Sequence, residues 1–289
     1  MSVIKVEGLK KYFGKIKAVD GISFEVEQGE VFGFLGPNGA GKTTTIRCMM
    51  DFIRPTDGKI VILDNDSYRD TVKLKKKIGY LSGAVKLYGK WTGNDHIEFI
   101  RHLNGKDDNA DELVKRLEFD TTRKAKHLSS GNRQKLGIIM ALMTKPEVMV
   151  MDEPTNALDP LLQHEIYDLL KEMSSSGSTV FMSSHNLAEV EKVCTRVGII
   201  REGKMVATES IQSLKEKRIF TVNVSFTDKF NKEDLIGGGI TIKEEMPSGL
   251  ILNVTGDLNP ILEKLAQHKV RDLSIIHASL EEIFLESYE

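Results

Sequence analysis

The sequence predicts an α/β fold with a parallel central sheet, because two short segments are apolar throughout. Residues 31–35, Val-Phe-Gly-Phe-Leu, lead into a glycine-rich turn and then a helical stretch at residues 44–50. Residues 148–151, Val-Met-Val-Met, end in two acidic residues. Such apolar runs are typical of strands buried on both faces, as in parallel sheets covered by helices. From about residue 219 apolar and polar residues alternate, which predicts a small additional α+β domain.

The composition is that of a globular protein without a strong overall charge. Of the 289 residues 40% are hydrophobic and 7% aromatic, enough for the cores of one large and one small domain. With 40 basic and 42 acidic residues the net charge is −2, so no overall field attracts nucleic acid or anionic lipid. We therefore expect no nucleic-acid partner.

Cysteine usage and hydropathy favour a cytoplasmic protein. Cys48 and Cys194 lie far apart, which indicates neither a disulfide framework nor a metal site. Residues 1–6 alternate like a strand and lack the apolar core of a signal peptide. No run of about 18 apolar residues occurs, so a role at a membrane would require a partner chain.

Two alternating segments, residues 3–9 and 22–26, predict strands at the start of the chain, with a turn at residues 12–14 between them. This turn contains Tyr12 and Phe13. An exposed aromatic ring here could stack on a nucleobase, and a buried one would pack at the edge of a sheet.

Residues 36–43, Gly-Pro-Asn-Gly-Ala-Gly-Lys-Thr, are typical of a phosphate-binding loop. Between a buried strand and a helix, successive backbone N–H groups converge on a phosphate chain, and the helix N-terminus adds its positive dipole end. Lys42 is placed to contact the β- and γ-phosphates, and the Thr43 hydroxyl to ligate Mg²⁺. The implied ligand is a nucleoside triphosphate. The alternative, a glycine turn beside a surface lysine, is disfavoured by the flanking strand and helix.

Residues 84–145 predict a helical insertion before the second apolar strand. A strand at 59–63, a short basic helix at 72–77 and a strand at 78–81 precede it, and its own helices are predicted at 93–103, 110–117 and 128–143. The last begins with Ser129, which suits an N-cap, and a helix N-terminus can bind an anion. A serine cap alone does not indicate a ligand, since most helices that begin so bind nothing.

Asp152 and Glu153 follow the second apolar strand, at the end where ligands bind in open α/β sheets. Asp152 is placed to hold Mg²⁺, directly or through water, and Glu153 to accept a proton from the water that attacks the γ-phosphate. Two acids could instead cap the turn, but the upstream phosphate loop favours the paired role. His185 ends a further predicted strand, residues 179–182, and can donate to the γ-phosphate or orient water.

Together these motifs resemble the ATP-binding cassette (ABC) ATPase family over roughly residues 1–215. The matching motifs are the Walker A loop at 36–43, the signature at 128–132, the Walker B strand at 148–152, the D-loop at 157–159 and the switch histidine, His185. Glu153 takes the position of the catalytic glutamate. Phe13, immediately before Gly14, takes that of the aromatic residue that stacks on adenine, in preference to Tyr12.

The resemblance implies a P-loop NTPase core with an antiparallel β subdomain and a helical subdomain, plus a small C-terminal α+β appendage at residues 219–289. It implies MgATP hydrolysis with Glu153 and His185 as catalytic residues. The implied ATP contacts within one copy are Phe13, Asn38, Gly39, Gly41, Lys42, Thr43 and Thr44, with Thr43 and Asp152 on Mg²⁺. It also implies a two-fold dimer, expected to be a homodimer, that ATP closes and hydrolysis releases. The implied contacts to ATP held by the other copy are Ser129, Gly131 and Asp159.

This sequence departs from the family pattern at two places. In the signature, Ser130 and Asn132 replace the usual glycine and glutamine, which leaves Ser129 and Gly131 as the matching contacts. Gly83 falls where the family has the Q-loop glutamine that reaches Mg²⁺ and senses the transmembrane partner. Coupling through the backbone, through a water or through a neighbour such as Ser82 remains open.

The C-terminal part of the sequence predicts a small domain and indicates a membrane partner. Strands are predicted at 220–226, 240–243, 250–254 and 270–276, and helices at 260–267 and 280–285. Residues 279–285 resemble the tail of prokaryotic exporter-type ABC subunits that pair with a separate membrane permease. We therefore expect a peripheral subunit at the cytoplasmic face of the membrane. The appendage either buttresses the ATPase or senses a ligand.

Two other functions fit the sequence less well. Soluble ABC ATPases of translation carry two cassettes, whereas one Walker A loop is found here, and those of DNA repair have long coiled coils, for which residues 44–128 are too short. A regulatory module without turnover would be consistent with Gly83, but the presence of Glu153 and His185 argues against it.

Overall fold

The computed structural model describes residues 1–104, 108–216, 219–228 and 230–277. The chain divides into two units, Met1–Ser210 and Ile211–Glu289. Among the described residues, no helix combines the length and apolar character needed to span a membrane. The predicted helix at 280–285 and the tail at 279–285 lie outside the described residues.

The larger sheet of the first unit has the strand order β10-β9-β3-β8-β7-β6. Its strands are β3 (Val31–Leu35), β6 (Ile78–Leu81), β7 (Val148–Asp152), β8 (Thr179–Ser184), β9 (Arg196–Arg201) and β10 (Lys204–Ser210). Neighbours pair in parallel except β9 and β10, which form an antiparallel hairpin. Every residue of β3, β7 and β8 is buried, as the apolar runs predict. Since β8 lies between β3 and β7 and all three are parallel, the segments that follow these strands meet at the carboxyl end of the sheet.

A second, antiparallel sheet has the order β2-β1-β4-β5. Its strands are β1 (Ser2–Phe13), β2 (Ile16–Glu27), β4 (Asp57–Ile62) and β5 (Asn65–Asp66). The predicted turn at residues 12–14 is wrong, because Tyr12 pairs with Lys17 and Phe13 with Ile16, so both aromatics belong to β1. The turn follows at Gly14, whose φ of 59° favours glycine. Phe24 of this sheet stacks on Phe32 and Phe181 of the larger one, which joins the two in a common core.

The helices of the first unit are α1 (Lys42–Met49), α2 (Thr71–Lys75), α3 (Gly93–Asn104), α4 (Ala110–Arg116), α5 (Ser130–Leu142), α6 (Pro160–Ser175) and α7 (Leu187–Val193). Between β6 and β7, α5 packs against α3 and α4 and forms the predicted helical insertion. The helix predicted from residue 128 starts at Ser130, because Leu128 and Ser129 keep an extended backbone. The α/β fold with an antiparallel sheet and a helical insertion is thus confirmed.

The second unit is an α+β unit with the strand order β12-β13-β11-β14, antiparallel throughout. Its elements are α8 (Ile211–Glu216), β11 (Ile219–Phe226), β12 (Ile240–Met246), β13 (Gly249–Thr255), α9 (Asn259–Leu265) and β14 (Val270–His277). This is a split βαββαβ order in which a 3₁₀ turn, Lys232–Asp234, stands in the first helix position. Ile261 and Leu265 of α9 pack on Val222 and Leu252 in the core of the unit.

Candidate nucleotide-binding site

A cleft of about 590 Å³ opens at the carboxyl ends of β3 and β7. It is lined by Ala18, Asn38, Gly39, Gly41, Lys42, Thr43, Thr44, Arg47, Tyr80, Ser82, Gly83, Ala84, Asp152, Glu153, Asn156 and His185. The structure therefore brings the predicted phosphate loop, both acidic residues and the histidine to one place. Phe13, Ser129, Gly131 and Asp159 are not among the residues that line it.

The loop between β3 and α1 is shaped by glycines that approach neighbouring backbone. Gly41, the N-cap residue of α1, has φ 111°, and a Cβ there would lie 2.5 Å from Ala18 O. A Cβ on Gly36 would lie 2.3 Å from Ile200 O. Because neither position admits a side chain, these glycines fix the path by which the loop presents its backbone N–H groups to the cleft.

Lys42 lies in the loop and is held by backbone oxygens. Its side chain is 6% exposed, and Nζ donates hydrogen bonds to Gly36 O at 2.6 Å and Pro37 O at 3.2 Å. Nζ also lies 3.5 Å from Glu153 Oε1. The ammonium group is thus a buried positive charge at the cleft, within reach of both the loop and the proposed base.

Asp152 accepts hydrogen bonds at both carboxylate oxygens. Thr43 Oγ1 donates to Oδ2 at 2.8 Å, and Ser183 Oγ donates to Oδ1 at 2.7 Å. A threonine hydroxyl and a carboxylate that converge on one point are hard oxygen donors, which suit Mg²⁺ completed by water and phosphate oxygens. In the described part of the chain no cluster of three or more His, Cys, Asp or Glu could hold a metal by itself.

Glu153 connects the acidic strand to the histidine. His185 Nδ1 lies 2.5 Å from Glu153 Oε2. The Glu153 backbone has φ 53°, and its N–H donates to Ser183 Oγ at 3.1 Å and to Ser183 O at 3.3 Å. Non-glycine residues adopt this left-handed region when their surroundings hold them there. The strand end thus turns the Glu153 carboxylate towards both Lys42 and His185.

Gly83, at the position where the family resemblance implies a glutamine, lies against Asp152 at the end of β7. A Cβ on Gly83 would lie 3.2 Å from Asp152 O and 3.3 Å from Asp152 Oδ2. Ser82 and Tyr80 line the cleft beside it, and burial raises the pKa of the Tyr80 hydroxyl. Ser82 Oγ donates to Ala84 O at 3.2 Å, which forms a local turn.

Sequence reasoning missed several residues of the site. Ser183 bonds Asp152 and the Glu153 N–H, and Arg47 and Asn156 line the cleft. Ser183 could have been found from the predicted sheet, because it is the residue of β8 that pairs with Asp152 in parallel register. The sequence carries no comparable signal for Arg47.

Phe13 lies at the end of β1 with 49% of its surface exposed, so it is not packed into a sheet edge. Lys11 Nζ lies 5.0 Å from the centre of its ring. The Tyr12 hydroxyl donates to Asp20 Oδ1 at 2.5 Å, so this second aromatic is engaged within its own sheet.

Ser129 and Asp159 are exposed residues that cap helices. Ser129 Oγ accepts from Asn132 N at 3.3 Å at the start of α5, and Asp159 Oδ1 accepts from Leu162 N at 3.0 Å at the start of α6. A Cβ on Gly131 would lie 3.2 Å from Ala157 O, so the two helix starts are close neighbours.

Salt bridges and one hydrogen bond to a backbone carbonyl connect α4 and its C-terminal end to both α5 and α6. Arg116 of α4 forms a bidentate salt bridge with Glu172 of α6 and a further one with Glu165. Lys135 Nζ of α5 donates to Leu117 O at 2.7 Å. The segment with Ser129 and the segment with Asp159 thus form one connected surface.

Comparison with known proteins gives the same family over most of the chain. The model of the family described as "ABC transporter" matches residues 19–156. The bacitracin transport ATP-binding protein BcrA of Bacillus licheniformis is 35% identical over 221 residues, 75% of this chain and 72% of that protein. The uncharacterized ABC transporter ATP-binding protein YhcH of Bacillus subtilis is 34% identical over 99% of this chain and 95% of its own length. The daunorubicin resistance ATP-binding protein DrrA3 of Streptomyces coeruleorubidus is 34% identical over 74% of this chain and 70% of that protein.

Solved structures share the fold of this chain over about three quarters of its length. An ATP-binding subunit of an ABC transporter superposes with a TM-score of 0.69 at 26% identity, over 74% of this chain and 92% of that one. The ATP-binding cassette MJ0796, a dimer bound to ADP and Pi, superposes with a TM-score of 0.67 at 24% identity, over 72% of this chain and 98% of that one.

Proposed function

We propose that Glu153 and His185 perform ATP hydrolysis in the cleft described above. The premise is that this chain belongs to the ABC transporter family and is the ATP-hydrolysing subunit of such a transporter. The observation that carries this assignment is the connected set Lys42, Glu153 and His185, with a 3.5 Å and a 2.5 Å contact, beside the bonded pair Thr43 and Asp152. We assign the ATPase domain to residues 1–215 and an accessory domain to residues 219–289.

In this proposal the chain's own residues each have a separate task. Asn38, Gly39, Gly41 and Thr44 supply loop and helix N–H groups to the phosphates, and Lys42 moves from the loop carbonyls to the γ-phosphate. Glu153 accepts the proton of the attacking water, and His185 holds the Glu153 carboxylate in position. Phe13 offers the face of an exposed ring to the adenine.

Thr43 and Asp152 would hold Mg²⁺, which supplies charge neutralisation at the phosphate oxygens when bound. Both side chains already point at one another across 2.8 Å. Ser183 keeps Asp152 Oδ1 occupied, so Oδ2 is the oxygen that faces Thr43 and the cleft.

A second copy of the chain would complete each ATP site. Ser129, Gly131 and Asp159 lie outside the cleft of their own copy, at adjacent helix starts, where Ser129 and Asp159 are exposed and Gly131 is partly exposed. They would meet the γ-phosphate held by the other copy, where the α5 dipole favours an anion. The dimer of MJ0796 bound to ADP and Pi supports this arrangement.

We further propose a separate permease as the partner, at the cytoplasmic face of the membrane. The names of two relatives, a bacitracin transport and a daunorubicin resistance ATP-binding protein, support export of a drug-like compound. The two relatives match about three quarters of this chain and have different compounds in their names, so they support a role in transport more strongly than any particular substrate.

The test is ATP turnover by the purified chain, alone and co-expressed with the permease from a neighbouring reading frame in liposomes. We expect turnover that the permease stimulates, since closure of the ATPase dimer and motion of the permease are coupled. Turnover that no membrane partner changes, together with ribosome or DNA association, would contradict the transport assignment.

A further inference from the structure

A buried carboxylate on α7 lies close to the residues proposed for hydrolysis. Glu189 is 6% exposed, and burial raises the pKa of its carboxyl group. A buried charge is costly unless hydrogen bonds compensate it. The proposed ATP contacts do not include this side chain, so its own partners must account for its presence.

Both oxygens of Glu189 accept hydrogen bonds from buried hydroxyl groups. Thr155 Oγ1 donates to Oε1, and Ser184 Oγ donates to Oε2. Thr155 is 7% exposed and Ser184 0%. Thr155 follows Glu153 by two residues, and Ser184 immediately precedes His185. One carboxylate therefore joins the segment after the proposed base to the segment before the histidine.

The helix that carries this carboxylate has little freedom to move. A Cβ on Gly33 of β3 would lie 2.7 Å from Val190 Cγ1 and 2.9 Å from Cys194 Sγ, so α7 packs directly on the strand backbone. The Asn186 side chain caps the helix by accepting from Ala188 N at 3.0 Å. Because α7 is restrained in this way, the Glu189 carboxylate restricts the motion of the segments that are hydrogen-bonded to it.

We propose that Glu189 is a positioning residue for ATP hydrolysis, which fixes Thr155 and Ser184 so that Glu153 and His185 stay in hydrogen-bond contact. The proposal rests on the hydrolytic roles proposed above for Glu153 and His185. The Glu153 backbone at φ 53° needs restraint from its surroundings. The bond from Thr155 restrains it on one side, and the bonds to Ser183 restrain it on the other.

Three substitutions of Glu189 test its positioning role by different degrees of change to the side chain. Glu189→Ala removes both acceptors, and Glu189→Gln keeps the size but places an amide N–H₂ against a hydroxyl that now donates. Glu189→Asp keeps the charge but shortens the side chain by one methylene group. Because small displacements of catalytic groups are costly, we expect Glu189→Ala to lower kcat on the order of 10- to 100-fold, and the other two by less. KM for ATP should stay within about twofold, since the phosphate contacts are untouched.

The matched control is Glu30→Gln. Glu30 is also buried, at 7% exposed, but its carboxylate pairs with Arg196. This control should lower the midpoint of thermal unfolding while kcat per folded chain stays that of the parent. A merely structural role for Glu189 would give the same pattern.

A second readout separates positioning from folding. In nucleotide-free chain labelled at histidine nitrogens, the NMR signal of His185 can be assigned by its absence in His185→Ala. We expect this signal to shift in Glu189→Ala, because the contact of Nδ1 with Glu153 loosens, and to remain in place in Glu30→Gln. If Glu189→Ala does not fold, Glu189→Gln and Ser184→Ala serve for both measurements.

The outcomes distinguish this inference from the proposed function. Parent-like kcat and an unmoved His185 signal in the Glu189 variants, while Glu153→Gln abolishes turnover, would overturn the positioning role alone. Parent-like turnover in Glu153→Gln would overturn the assignment of the base itself, on which the positioning role depends.

Discussion

The residues assigned to ATP form two groups that differ in what holds them. In the cleft, hydrogen bonds to other segments hold the polar side chains: Lys42 donates to loop carbonyls, and Asp152 accepts from Thr43 and Ser183. Ser129 and Asp159 are exposed instead, and they hydrogen-bond the first turns of their own helices.

This difference indicates that nucleotide binding and dimer closure are separable events. In the cleft, Lys42 and Asp152 are buried and hydrogen-bonded, so a phosphate chain would replace existing hydrogen bonds there. In the proposed dimer, the exposed helix starts would gain a new interaction only when another copy brings a phosphate to them. Substitutions in the two groups should therefore affect different measurements.

The largest effect is expected from Glu153→Gln, which leaves the cleft otherwise intact. Loss of the proposed base should lower kcat by roughly 10²- to 10⁴-fold, while ATP is still bound and a closed dimer accumulates. ATP turnover and size-exclusion chromatography with MgATP measure the two parts. Glu147→Gln, in front of β7 and paired with Lys77, is the control and should behave as the parent.

Next in size is Lys42→Ala. The loss of charge-assisted contacts to the phosphates should weaken ATP binding by about 1.5–3 kcal/mol, or roughly 10- to 150-fold, in the isolated chain. Calorimetric titration with MgATP measures this affinity. The exposed Lys171 provides the control, since Lys171→Ala removes the same charge outside the cleft. An affinity equal to that of the parent would remove Lys42 from the phosphate site.

Ser129→Asp addresses the exposed group alone. Aspartate retains the N-cap of α5, so stability should hold, but it places a negative charge where a γ-phosphate of the second copy would lie. We expect dimer formation to weaken roughly 10-fold when the substitution is added to Glu153→Gln. Binding of ATP to the monomer should not change. A fall in monomer affinity instead would place Ser129 in its own copy's site.

The smallest effect is expected at the Arg116 salt bridge. Arg116→Gln should cost about 1 kcal/mol of unfolding free energy, because Glu165 and Glu172 are partly exposed. The guanidinium lowers the pKa of Glu172 below its ordinary value of 4.5. Since the folded state favours the ionised carboxylate, this stabilisation is present above pH 4.5 and is lost as the pH falls. Denaturant unfolding should show the difference from the parent shrinking in acid.

The residues that line the cleft could be predicted from the sequence better than the residues that hold them in place. Apolar runs identified β3 and β7, and the residues that follow them met as expected, because parallel strands end at the same edge. The placement of Phe13 in a turn was wrong, since a strand that bulges continues past a local break in alternation.

The remaining features depend on contacts between distant segments. Ser183 supports Asp152 through strand register, and Glu189 through its two hydroxyl partners joins residues 29 positions apart in the chain, Thr155 and Ser184. Neither has a local pattern that distinguishes it from an ordinary serine or glutamate. The assigned roles of Ser129 and Asp159 depend on a second copy, so they stay predictions.

The order of strands in the larger sheet also bears on how the chain is synthesised. The strand that precedes the phosphate loop, β3, is paired with β8 and β9, and both follow it by more than a hundred residues. Because chains emerge from the ribosome N-terminal end first, β3 and the phosphate loop are made long before β8 and β9, the strands that pair with β3. Its glycines reach their tight contact with Ile200 only after β9 has been made. The nascent chain therefore carries β3 without its strand partners while more than a hundred further residues are made, a period in which chaperone contact would be most useful.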